Sequence, residues 1–177
     1  MKKLVFVACI ALCFMSCEKV EFDVNNPDVK KFVQQIKKGT YNVFEKGENY
    51  ERLWLKMPEF NENHIQSLIN FSKDTTHINK FPLNPISSRA PFPDDRNYFI
   101  LGECLLWIVE GIRIDDKYGS LDPFLIDMSL AGIEKLKGLK GSEVLTVGDL
   151  YSDWWNNNKG GDWRNQNPLE NTSFMWY

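Results

Sequence analysis

The sequence predicts an all-α fold, an irregular helical domain that admits stacked antiparallel helix pairs, with a proline-rich loop and an extended aromatic C-terminal tail. Three observations lead there. Apolar residues recur at i, i+3, i+4 and i+7 in several separate windows, the spacing of one helical face. Cap and stop residues bracket those windows. No run alternates apolar and polar residues for long enough to make a strand, and Val144 to Val147 is too short to claim a sheet.

The chain opens on Lys2 and Lys3, followed by an almost unbroken apolar run from Leu4 to Met15. That run is shorter than the roughly 20 residues a membrane-spanning helix needs and has the length of a signal h-region. It ends in Phe14-Met15-Ser16-Cys17, a small residue before a cysteine, as a lipoprotein signal peptidase requires. Residues 1–16 are therefore expected to be a signal peptide. Residues 17–26 are then a lipidated Cys17 and its solvated tether, and residues 27–177 one helical domain.

Cleavage before Cys17 removes Cys9 and Cys13 and leaves only Cys17 and Cys104, so no disulfide framework is expected. Stability must come from a core, for which the remaining 161 residues suffice. The cut also removes two of the 21 basic residues and none of the 24 acidic ones, leaving a net charge of −5. Such a chain, without basic runs, is a poor nucleic-acid binder. It is equally ill suited to electrostatic adhesion to anionic lipid, so acyl chains are expected to do the anchoring.

The first helix is expected from Asn26-Pro27-Asp28, with Val29, Phe32, Val33 and Ile36 as its buried stripe and Lys37-Lys38-Gly39 as its stop. Tyr50, Leu53, Trp54 and Met57 repeat the spacing and predict a short helix before Pro58. Asn61 caps the next, with a Phe60–Ile65 staple and Ile65, Leu68 and Ile69 facing inward. Pro82, Pro85, Pro91 and Pro93 exclude a regular helix over residues 79–95. From about Asp95 to Arg113 runs the most apolar helix, expected to be central, with Cys104 a buried inert thiol. Asp122-Pro123 predicts a short helix through Leu130, and Ile133, Leu136 and Leu139 form a fragmentary stripe. A last helix is expected from Thr146, answered by Asp149, through Leu150, Tyr151, Trp154 and Trp155 to about Asn158. The tail from Gly161 to Tyr177 is expected to lie across the surface, anchored by its aromatics.

Chemistry-bearing residues are few. His64 and His77 have no zinc spacing, so no metal and no cofactor is expected, and His64 is read as solvated near a helix start. Ser87 and Ser88 are candidate exposed hydroxyls in the proline loop, although serines there ordinarily turn the backbone. Glu103 and Glu110 are the best enzyme constellation, two acids seven apart on one side of the central helix and suited in type to acid and base work. Their Cα atoms are about 10.5 Å apart at 1.5 Å per residue. The competing reading has them form the solvated edge of that helix and pair with Arg113 or Arg96. Asp94-Asp95 reads as a cap and Asp115-Asp116 as a loop, without calcium spacing. Trp154, Trp155, Trp163, Trp176 and Tyr177 crowd the C-terminal region; of these Trp155, Trp163 and Trp176 are the candidate ligand-binding platform, with Trp154 read as core and Trp155 as surface.

Asn84-Pro85-Ile86-Ser87-Ser88, Leu101-Gly102-Glu103-Cys104-Leu105-Leu106-Trp107 and Glu110-Gly111-Ile112-Arg113 carry a resemblance, as do Tyr151 to Trp155 and Pro168-Leu169-Glu170-Asn171-Thr172. The chain resembles a family of small uncharacterised lipoproteins of Bacteroides-type bacteria. The resemblance implies a Gram-negative envelope, with lipid anchoring at the outer membrane, and a single helical domain; it carries no activity and no catalytic residue. The leading expectation is an anchored interaction module binding protein or glycan through the aromatic C-terminal region or the proline loop. The alternative is a hydrolase of envelope or dietary polymers using Glu103 and Glu110. A third reading is a structural subunit of an envelope complex.

Overall fold

The computed structural model describes residues 22–87, 96–129 and 137–177. The expectations for Cys17 and the signal peptide, for Ser88, Asp94 and Asp95, and for Ile133 and Leu136 lie outside those residues. The described residues form four α-helices: α1 (Val29–Lys37), α2 (Glu62–Phe71), α3 (Leu101–Ile114) and α4 (Gly141–Asn158). They also form six short strands: β1 (Phe44–Lys46), β2 (Arg52–Leu55), β3 (His77–Ile78), β4 (Phe99–Ile100), β5 (Leu125–Asp127) and β6 (Phe174–Trp176). The strands pair antiparallel as β1–β2, β3–β4 and β5–β6. The fold is therefore mixed α and β, and the expected all-α class is overturned by these three sheets.

Two of the expected helices are strands. Over residues 50–57 the helical spacing is real but shares no face: Leu53 and Trp54 are exposed while Met57 is buried. Tyr50, in the left-handed region at φ 60°, turns the chain after Gly47 and sends it back along β1. After Asp122-Pro123 the chain likewise extends, as β5, and pairs with β6 of the C-terminal tail.

The helices follow their local signals. Asp28 caps α1 by accepting from Lys31 N at 2.7 Å, two residues later than the expected Asn26. Gly39 at φ +65° ends it, donating to the Ile36 carbonyl. Asn61 caps α2, and the Nδ1 of His64 accepts from the Asn61 amide at 3.0 Å, so this histidine completes a reciprocal cap. α4 starts at Gly141, five residues before the expected Thr146 cap; Glu143 accepts from Lys140 N at 2.6 Å and supplies the entry instead. Asp149 pairs with Lys73.

Helix α3 lies at the centre, buried without a break from Leu101 through Gly111, and α2, α4 and β4 pack on it. Each fully buried Leu or Ile side chain adds about 1.5–3 kcal/mol. The close approach of α2, α3 and α4 rests on two glycines. A Cβ on Gly102 would fall 1.9 Å from the Ser72 carbonyl oxygen, and one on Gly148 2.9 Å from Ser72 Oγ.

Candidate functional site

The turn between β2 and α2, the C-terminal end of α3 and the 3-10 turn Trp163–Asn165 surround a cavity of about 270 Å³. Its apolar lining is Met57, Phe60, Ile108 and Ile112, and its polar lining includes Glu59, Asn61, Glu62 and Asp116. Local chemistry sets each wall. The N-cap of α2 turns the chain at Asn61 and leaves Glu62 in the first turn, where a carboxylate complements the helix dipole. α3 stops because Asp115 takes a left-handed conformation at φ 59°. Arg164 donates to the Ile112 carbonyl at that end, lies 4.4 Å over the Trp163 ring, and sits 3.5 Å from Asp115. Lys117 Nζ lies 3.6 Å from Glu45 and 4.0 Å from Glu59. The rim thus offers hydrogen-bond donors and acceptors of both charges above an apolar floor.

The two glutamates are placed otherwise. Glu103 is fully buried, both its oxygens accepting from Arg96 Nη2 at 2.8 Å and one from Leu125 N at 2.6 Å. Burial pushes its carboxyl up to about 7, against the opposing pull of Arg96 and of that amide. Glu110 accepts from Arg113 at 2.6 and 3.0 Å and from the hydroxyl of Tyr151 at 2.9 Å. Tyr151 in turn accepts from Trp176 Nε1 at 2.9 Å. Burial, with Glu110 alongside, drives the Tyr151 hydroxyl well above its ordinary range. The acids therefore sit in separate arginine pairs, and neither lines the cavity.

The family described as a domain of unknown function, DUF4943, matches residues 23–177. The chain belongs to that family. No curated protein matches the chain. No solved structure matches it either.

Within this DUF4943 domain the C-terminal tryptophans pack on one another. Trp154, Trp155 and Trp163 are buried, with ring centroids 5.6–6.0 Å apart in a triangle. Trp155, read from the sequence as a surface residue, is turned inward by Trp163 folding back across α4. Trp176 and Tyr177 are half-buried, Trp176 beside β5 and over Tyr151. The open face lies elsewhere. Trp54 and Leu53 of the β1–β2 hairpin line a second cavity of about 350 Å³ with Leu83, Pro85 and Ser87 of the proline loop. Ser87 Oγ donates to Asp122 at 2.8 Å and fixes that loop to the start of the β5 approach. His77 stacks on Tyr98 at 3.7 Å, remote from His64. Cys104 is buried, and burial drives its thiol well above the ordinary range. Among the described residues no cluster of three His, Cys, Asp or Glu has an arrangement that holds a metal.

The DUF4943 cleft was not legible as a site beforehand. Pro58 to Glu62 read only as a helix entry, and Asp115-Asp116 only as a loop. Arg164 carried no pattern of its own, because its role depends on a tertiary meeting with the end of α3.

Proposed function

We propose that this DUF4943 protein is a lipid-anchored binding module of a Gram-negative envelope, held through Cys17 at the outer membrane, with the cleft beside α2 taking a small hydroxyl-rich ligand such as a glycan unit. The observation that supports it is the cleft's composition. Ligand sites join an apolar floor to a few convergent polar groups in roughly 300–1,000 Å³, and this cavity of about 270 Å³ lies just below that range, which restricts it to a small ligand. Its concavity and its mixed-charge rim suit a sugar ring better than a flat protein surface. The anchor is supported by the apolar run from Leu4 to Met15 and the Ser16-Cys17 pair that follows it. The separate arginine pairs of Glu103 and Glu110 give the hydrolase reading no support.

The test is a screen of immobilised glycans with the lipidated protein in detergent, repeated with Glu62→Lys and Asp116→Lys. The expected result is a bound glycan class lost in both variants while each still unfolds in one cooperative transition, Glu62→Lys at a slightly lower temperature because a cation replaces the first-turn carboxylate of α2. Glycan binding indifferent to both variants removes the cleft from consideration, and a screen without a binder removes the glycan.

A further inference from the structure

The first described residue, Phe22, is buried against Phe32 and Tyr41, with ring centroids at 6.0 and 5.4 Å. Tyr41 leads into β1, and its hydroxyl donates to the Lys56 carbonyl just beyond β2 at 2.6 Å. The chain thus enters the fold at the base of the β1–β2 hairpin. From Cys17 to Phe22 there are five residue steps, which span at most roughly 18 Å whatever their conformation. An anchor at Cys17 consequently keeps Phe22 within that distance of a bilayer surface, with the hairpin base one side chain further on.

The hairpin carries the side chains such a surface selects. Tyr50 is 81 % exposed, Leu53 43 % and Trp54 42 %, and Ile86 of the adjoining proline loop is 76 % exposed. Tyr and Trp favour the headgroup level, where one end of the ring is wet and the other apolar. The remaining tryptophans are buried or half-buried, so Trp54 is the one with its ring most open to solvent. Hairpin charge is balanced, Glu45, Glu48 and Glu51 against Lys46, Arg52 and Lys56. No electrostatic attraction to anionic lipid follows. Contact must come from apolar burial at the high local concentration a short tether imposes.

We propose that the β1–β2 hairpin, through Tyr50 of its turn and the side of β2 that carries Trp54, rests on the bilayer surface to which Cys17 is attached, so that the domain is docked in one orientation. This rests on the anchored reading given above. The occupant is the lipid surface, because the tether reaches the fold at the base of this hairpin.

The experiment uses the full chain expressed in a lipoprotein-processing Gram-negative host, purified and reconstituted into phosphatidylcholine vesicles with brominated acyl chains. Mass spectrometry first reports acylation of Cys17; a free thiol there overturns both readings. With the lipidated protein in vesicles, the expected result is bromine-dependent quenching of tryptophan fluorescence that is lost in Trp54→Phe. In Tyr50→Glu, which keeps the reporter, that quenching is reduced. Lipidated protein that floats with the vesicles but shows no quenching, or quenching untouched by Trp54→Phe, overturns the docked face and leaves the anchor standing. Cross-linking of two copies through their hairpins in place of quenching assigns the face to a second copy and overturns the proposal.

Discussion

Arg96 and Glu103 meet inside the protein, one guanidinium nitrogen donating to both carboxylate oxygens at 2.8 Å, with side-chain exposures of 2 % and 0 %. Arg96 also donates to the Leu139 carbonyl at 3.2 Å, while Glu103 accepts from the β5 amide of Leu125. The pair therefore joins the first turn of the central helix to strand β5 and to the segment just before α4, both distant in sequence. Glu103→Ala at pH 8 leaves a buried, unpaired guanidinium, and the expected loss of stability is about 3–5 kcal/mol. Replacing both partners by Met and Leu is expected to restore much of it. Urea unfolding of the two variants beside the wild type checks this; equal losses in the single and double variants would sink the pairing argument.

The same carboxyl sets a pH dependence. Its folded value is raised from 4.5 to about 7 by burial, so the folded protein holds this proton more tightly than the unfolded chain does. The contribution is fully present below the unfolded value and is lost as pH rises through about 7. Stability of the wild type is expected to fall over that window relative to Glu103→Gln, which cannot titrate. Unfolding midpoints measured from pH 4.5 to 8 for both proteins give the answer, and parallel curves would contradict it.

Gly102 and Gly148 face the same serine and are expected to respond differently. Gly102→Ala drives a methyl group into the Ser72 carbonyl, which is fixed backbone, and is expected to cost at least the 1–3 kcal/mol (approximately) of an overpacked core. Gly148→Ala meets only the Ser72 hydroxyl, which can rotate away, and gains helix propensity; its net change is expected to be within about 1 kcal/mol. Thermal unfolding of the two variants ranks them.

Tyr151 links the central helix to the C-terminal strand, donating to Glu110 and accepting from Trp176. Tyr151→Phe leaves both partners short of a bond at about 1–3 kcal/mol. Amide exchange at Phe174–Trp176 is expected to accelerate more than exchange in α1. Uniform acceleration throughout would show a global effect and no specific tie.

Exposed and buried tryptophans divide the same way. Trp155→Ala empties part of the indole triangle and is expected to cost about 3–5 kcal/mol. Trp54→Ala, on the open hairpin, is expected to stay within about 0.5 kcal/mol. Chemical unfolding distinguishes them, and a large loss at Trp54 would mean that the hairpin face is part of the core.

What the sequence carried and what it hid follow one rule. α1, α2 and α3 were legible because caps, stops and apolar stripes act within a few residues, as Gly39, Asn61 and the run from Leu101 to Gly111 show. The strands were not, because two to four residues are too few for a period and their partners are remote: His77 pairs with Ile100, and Leu125 with Trp176. The arginine pairing of Glu103 and Glu110 was among the readings weighed, since Arg96 and Arg113 lie close along the chain. The inward turn of Trp155 was not, because Trp163 meets it only after the chain has reversed at Gly160-Gly161.

The β5–β6 ladder has a kinetic side. Its partners are separated by some fifty residues, so closing it means ordering a long loop before any contact rewards the closure. Native packing of Tyr151 and Trp176 is therefore expected to come after the local helices form. Under the proposal that the chain is exported and anchored, that lag leaves the polypeptide threadable through a narrow channel before it locks.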